Sequence, residues 1–252
     1  PSRLILYRAP TTRPRPAETE LFTTPWTRPV CLLSNCILIT GGVGVEAHVG
    51  EGFVGLSNCA VAARGDAVIL APTLVARSRF NADLRFDHCT IAAGAAVVRV
   101  EAWPGSEPGP DRPWVISGSN TAYLDLLSRE SILLRAGADD FAQGRIFWQQ
   151  RNDAVEVVAF AEATGAPLPN RRDIVTQWIN LWGSNHIRRV TGPRPSSPSP
   201  SVRFLTRPRA FPISPDDLIL DPKHFPGRRS LNVGASPTLL SGRPRSSIAP
   251  QR

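Results

Sequence analysis

The chain has 252 residues, 42 % of them apolar, which is enough for one elongated domain or two small ones with a true core. No run of 18 uncharged apolar residues occurs, so no membrane span is indicated. The net charge of +8 is local: residues 1–185 carry 17 Arg against 18 Asp plus Glu, and residues 186–252 carry 11 Arg and Lys223 against three Asp.

That distribution bears on nucleic acid. A basic tail binds phosphate non-specifically, but this one holds only Phe204, Phe211 and Phe225 as aromatics, too few for a base-stacking platform. Nucleic acid is therefore a minor reading, and a solvated tail the main one. There is no Met, and the chain is read as a fragment or processed product whose compartment the sequence does not give.

Residues 1–29 are rich in Pro, Thr and Arg and read as a linker or disordered lead-in. A repeat then begins. CLLSNCIL (31–38), VGLSNCAV (54–61), LRFDHCTI (84–91) and WVISGSNT (114–121) start 23, 30 and 30 residues apart. In the first strand of each copy, alternation turns Val54 and Leu56, Leu84 and Phe86, and Trp114 and Ile116 inward. The inward period then slips by one residue, which requires a kink in the main chain. The kink is assigned to Asn35, Asn58, His88 and Gly118, residue types that tolerate a left-handed backbone.

A further strand follows in each copy. DAVILA (66–71), AAVVRVE (95–101) and SILLRA (131–136) send Val68, Leu70, Val98, Val100, Ile132 and Leu134 inward, and Arg99 and Arg135 outward. Short strands, sharp bends and a 20–30-residue period are the requirements of a parallel β-solenoid. A β-sandwich is the rival, but its hairpins favour Asn-Gly or Asp-Gly pairs, and residues 30–136 contain neither.

The expected fold is thus all-β, a parallel β-helix over 30–190. Residues 171–182 place Ile174, Trp178, Leu181 and Trp182 on one helical face, and the reading is an amphipathic helix capping the open end of the solenoid. Residues 191–252 read as a Pro/Ser/Arg-rich irregular tail.

The rungs GLSNCAVAARGDAVILA and LRFDHCTIAAGAAVVRVE resemble right-handed parallel β-helices of the pectate-lyase-like superfold. More narrowly, they resemble C-terminal β-helix regions of large planctomycete proteins, some with a protein-kinase domain upstream. TQWINLWGS and DDLILDPKHFPGRRSLNVGAS resemble the closing segments of such regions. The resemblance covers about residues 31–235 and carries no catalytic signature.

Cys36, Cys59 and Cys89 hold equivalent repeat positions, with Ser119 in the fourth copy. They are expected to stack as an internal ladder of small side chains. No C-x-x-C pair or zinc-spaced His accompanies them or Cys31, so no metal or cofactor is expected. Gly42-x-Gly44-x-x-Ala47 is followed by a strand-like segment, not a helix, and reads as a turn. Asp139-Asp140 reads as another turn.

The outward-facing ligand candidates are Arg85, Asp87, Arg99 and Glu101, with Asp83 beside them. A lyase or hydrolase of this fold needs converging carboxylates, and the positions equivalent to Asp87 are Ser in the other copies. No catalytic residue is assigned. The expected function is a non-catalytic scaffold or recognition module, the C-terminal part of a larger protein, with carbohydrate or protein as its expected partner. A carbohydrate-active enzyme of the same fold is the alternative.

Overall fold

The structure, a computed structural model, describes residues 4–7, 29–49, 51–72, 81–101, 114–126, 131–151, 153–157, 159–164, 214–218, 220 and 233–241. An isolated first strand, β1 (Leu4–Tyr7), precedes five successive coils. Coil 1 is β2 (Pro29–Ser34), β3 (Ile37–Thr40) and β4 (Val45–Val49). Coil 2 is β5 (Glu51–Ser57), β6 (Ala60–Ala63) and β7 (Val68–Pro72). Coil 3 is β8 (Asn81–Asp87), β9 (Thr90–Ala93) and β10 (Ala96–Val100). Coil 4 is β11 (Trp114–Ser119), β12 (Ala122–Asp125) and β13 (Ile132–Ala136). A short helix, α1 (Ala138–Ala142), leads into coil 5, formed by β14 (Ile146–Arg151), β15 (Ala154–Glu156) and β16 (Ala159–Ala163).

Every strand pairs in parallel with its counterpart one coil away. The result is three sheets with the orders β1-β4-β7-β10-β13-β16, β14-β11-β8-β5-β2 and β15-β12-β9-β6-β3. This is a parallel β-solenoid. Its interior is filled by the residues that alternation turns inward: Val54 and Leu56, Leu84 and Phe86, Ile116 and Trp148, Val61, Ile91 and Tyr123, Val68, Val98 and Leu134, each at most 1 % exposed. Burial of each such large side chain stabilises by about 1.5–3 kcal/mol. Since strands lie roughly 4.8 Å apart, no coil closes a core without its neighbours.

The corner between the second and third sheets turns on one left-handed residue in each of coils 1 to 4. Asn35, Asn58, His88 and Asn120 occupy it, with φ of 54°, 49°, 51° and 52°. The fourth corner corrects the sequence expectation. Gly118 lies inside β11, opposite Phe86, and Ser119 pairs with Asp87. The residue after the corner is Thr121, which takes the place expected for Ser119. Thr121 is followed by the Ala122 N–H that bonds to the Cys89 carbonyl. The fourth copy is therefore displaced by two residues. A two-residue displacement leaves side-chain parity unchanged, so alternation alone does not detect it.

The residue after each corner has a common job. Cys36 Sγ donates to Ser34 O (3.2 Å), Cys59 Sγ to Ser57 O (3.3 Å), Cys89 Sγ to Asp87 O (3.3 Å) and Thr121 Oγ1 to Ser119 O (3.1 Å). The backbone keeps these residues in step: Ala60 N–H donates to Cys36 O and Thr90 N–H to Cys59 O, both at 2.9 Å. All four cysteines are free thiols; Cys59 and Cys89 are buried, Cys31 and Cys36 half-buried.

The outer face of the third sheet is paved with Ala60, Ala62, Thr90, Ala92 and Ala122, all fully buried. A later part of the chain covers it. Within the stretch read as an irregular tail, a 3-10 turn (Pro215–Leu218) and a helix, α2 (Pro237–Leu240), place Leu218, Ala235 and Leu240 on this alanine floor. Three consecutive amides reach back across three coils. Gly234 N–H donates to Asn120 O (2.8 Å), Ala235 N–H to Thr90 Oγ1 (2.9 Å) and Ser236 N–H to Asn58 Oδ1 (2.8 Å). The segment is a strap running against the order of the coils. The helix expected at 171–182 lies outside the described residues. Asp139 and Asp140, read as a turn, form the first turn of α1, where buried Asp140 meets Arg145 at 3.3 Å.

Candidate functional site

The four outward-facing candidates divide between two sheets. Arg85 and Asp87 lie on β8 in the second sheet, and Arg99 and Glu101 at β10 in the first. They form two surfaces and no single cluster.

On the first sheet, Arg99 pairs in register with Ile69 and Arg135, and Arg135 with Glu162. Asp66 sits behind the two arginines, 6 % exposed. Its Oδ1 accepts the Ala96 N–H at 3.1 Å, its Oδ2 lies 3.2 Å from Arg99 Nε, and its Oδ1 lies 3.8 Å from Arg135. Arg99 also reaches Glu101 at 3.3 Å, and Arg135 Nε donates to Glu162 at 2.8 Å. Two like-charged guanidiniums one strand spacing apart need anionic partners, and this carboxylate set supplies them. The arrangement ties coils 2 to 5 together, so the chemistry of Arg99 is largely spent within the protein.

The second sheet is more open. Its registers give three outward rows: Phe53, Asp83, Val115, Phe147; Leu32, Gly55, Arg85, Ser117, Gln149; and Ser34, Ser57, Asp87, Ser119. Gly55 has a specific reason to be glycine. A Cβ there would stand 2.9 Å from Leu32 Cδ1 and 3.1 Å from Phe53 Cε2, so its absence lets the two apolar side chains close over the strand. Arg85 stacks on the Phe53 ring with its guanidinium carbon 5.3 Å from the centroid. Leu32 remains 57 % exposed. Burial pushes the Asp83 carboxyl up, and Arg85 pulls it partly back. Asp87 Oδ1 accepts the Ser119 hydroxyl at 2.6 Å and lies 3.0 Å from His88 Nδ1.

This face offers an aliphatic and aromatic edge, a cation placed over a ring, and a row of hydroxyls around one carboxylate. Such a mixture suits hydrogen bonding and stacking along an extended ligand. The sequence reading named Arg85 and Asp87 but missed Phe53 and Leu32. The period-2 pattern did mark both as outward, and their size on an outward position was the available signal.

Among the described residues, no group of three or more His, Cys, Asp or Glu side chains is placed to hold a metal ion. No described helix is long and apolar enough to cross a membrane. No family model matches the chain, and no curated protein or solved structure matches it either.

Proposed function

We propose that this chain is a non-catalytic recognition module of the right-handed β-helix type, binding an extended carbohydrate along the outer face of its second sheet. The observation that carries the reading is the row structure of that face. Phe53 with Arg85 supplies a stacking edge, and Ser57, Asp87 and Ser119 stand in register beside it as donors and acceptors. Rows repeated at strand spacing favour a ligand that itself repeats. Rigid strands hold the side chains in place, which lowers the entropic cost of binding.

Affinity electrophoresis against a panel of neutral and acidic polysaccharides tests the reading. At least one polysaccharide should retard the wild-type chain, and Phe53→Ala should lose most of that retardation. Retardation that survives both Phe53→Ala and Arg85→Ala would remove this face from the binding site. Product release from the same polysaccharides would favour the enzyme alternative.

A further inference from the structure

The interior of coils 4 and 5 holds an acid that the core has no ordinary use for. Asp153, 8 % exposed, lies at the corner between β14 and β15 of coil 5. Its Oδ1 accepts the Thr121 N–H at 2.8 Å. Among the described residues its buried Oδ2 has no hydrogen-bond partner, and the same holds for the hydroxyl of Tyr123, a fully buried residue. Both oxygens press against Gly118, in the volume that a single methyl group on that glycine would occupy. One coil earlier the same interior place belongs to Phe86. Tyr123 fills the space along the axis, its ring edge-on to Phe86 and to Trp148 with centroids 5.7 Å away on each side.

We propose that Asp153 is a buried latch that joins coil 5 to coil 4 through the Thr121 amide while its carboxyl is neutral and loosens when its proton is lost. Oδ2 is the place for that proton, and a charge there would sit in an apolar interior with the Thr121 amide as the carboxylate's one hydrogen-bond partner among the described residues. Among the described residues, the titratable groups facing Asp153 and Tyr123 are Asp87, whose charge acts on Asp153, and Cys89, which acts on Tyr123. Neither is a cation. Burial is the main cause that pushes the Asp153 carboxyl up to about 8, with Asp87 adding to it and the Thr121 hydrogen bond opposing it. Burial also raises the Tyr123 phenol, so the phenol stays protonated.

The folded acid binds its proton more tightly than the exposed one, whose ordinary value is 3.8. The latch is fully effective below that value and weakens as pH climbs toward 8. Above that it changes no further. Because Asp153 lies between β14 and β15, the opening unit is coil 5.

Hydrogen exchange with residue resolution tests this between pH 5 and 9. Protection factors for amides of β14 and β15, referred to those of β8 and β9, should fall by up to about tenfold per pH unit and level off near pH 8. In Asp153→Asn the relative protection should be flat with pH. An equal fall in coils 3 and 5, or a slope that persists in Asp153→Asn, overturns the proposal. Carbon-13 titration of the Asp153 carboxyl in the unmodified chain decides the matter if the variant does not fold. A midpoint near 8 supports the latch, and a midpoint in the usual carboxylate range sinks it.

Discussion

Asn58 Nδ2 donates to Asn35 Oδ1 at 2.6 Å, so two residues 23 apart in sequence sit directly above one another at the same corner. Both hold a left-handed backbone. Asn58 Oδ1 in turn accepts the Ser236 amide of the strap. One side chain thus joins its own corner to the coil before it and to the strap. Asn58→Ala should cost about 2–3 kcal/mol, combining a left-handed non-glycine residue with the loss of two hydrogen bonds. Asn58→Gly removes only the second contribution and should cost less. Urea unfolding of both variants checks this, and equal losses would assign the corner to side-chain bonding alone.

Gly118 is the position where added volume has nowhere to go. Its methyl would collide with oxygens of Asp153 and Tyr123. Gly118→Ala should destabilise by about 1–3 kcal/mol as an overpacked core. Gly41, with open space around it, is the control. Thermal unfolding of Gly41→Ala should stay close to that of the parent chain.

Asp66 is a joint between coils. Asp66→Ala strands the Ala96 amide and takes the buried partner from Arg99 and Arg135. A loss of about 1–3 kcal/mol is expected, because an unpaired buried donor costs more than the bond it replaces, while Arg99 and Arg135 keep Glu101 and Glu162. A double-mutant cycle with Arg99→Gln should show coupling well above that of an exposed surface pair. Additive single losses would mean that the carboxylate serves the amide only.

The strap has one residue that cannot change size. Gly234 has φ +85°, and a Cβ there would stand 2.7 Å from Leu220 and 2.8 Å from Thr90 Oγ1. Gly234→Ala should lift the strap from the alanine floor. Limited proteolysis should then cut within 233–241 faster, while fragments containing coils 2 to 4 persist. Unchanged cleavage would mean that α2 alone holds the segment.

Thiol labelling should follow position along the solenoid. Cys31 and Cys36 are half-buried and should react first. Cys89 should react last, because its hydrogen bond with Cys59 and then burial push its thiol up. Prompt native-state labelling of Cys89 would show that the interior opens on the labelling timescale.

The corners at Asn35, Asn58 and His88 were legible because a one-residue slip in an alternating pattern has a single geometric meaning. The fourth corner was misplaced at Gly118 through reliance on parity. A better guide lay in the residues themselves: Ser57-Asn58-Cys59-Ala60 matches Ser119-Asn120-Thr121-Ala122. Thr replaces Cys because its hydroxyl makes the same bond to the carbonyl two residues back. The strap was hidden for another reason. Composition averaged over residues 191–252 masks two short apolar islands, around Leu218 and Ala235, whose meaning depends on the alanine floor they meet. Arg85 and Arg99 looked alike as outward cations, and only the path of the chain from sheet to sheet separates them. The Asp153–Tyr123 pair has no linear signature, since Gly118, Tyr123 and Asp153 come from three strands or corners.

The exact registers Ser57↔Asp87 and Ala60↔Thr90 imply that coils 2 and 3 are interchangeable units. Removing residues 58–87 would join Ser57 directly to His88, deliver β9 to the edge vacated by β6, and bring β10 to β4 in the register β7 now holds. The molecule can therefore shorten or lengthen by a whole coil without redesign, provided that the strand registers are kept. A cut that set β9 one residue out of step against β3 would turn the side chains of that strand inside out.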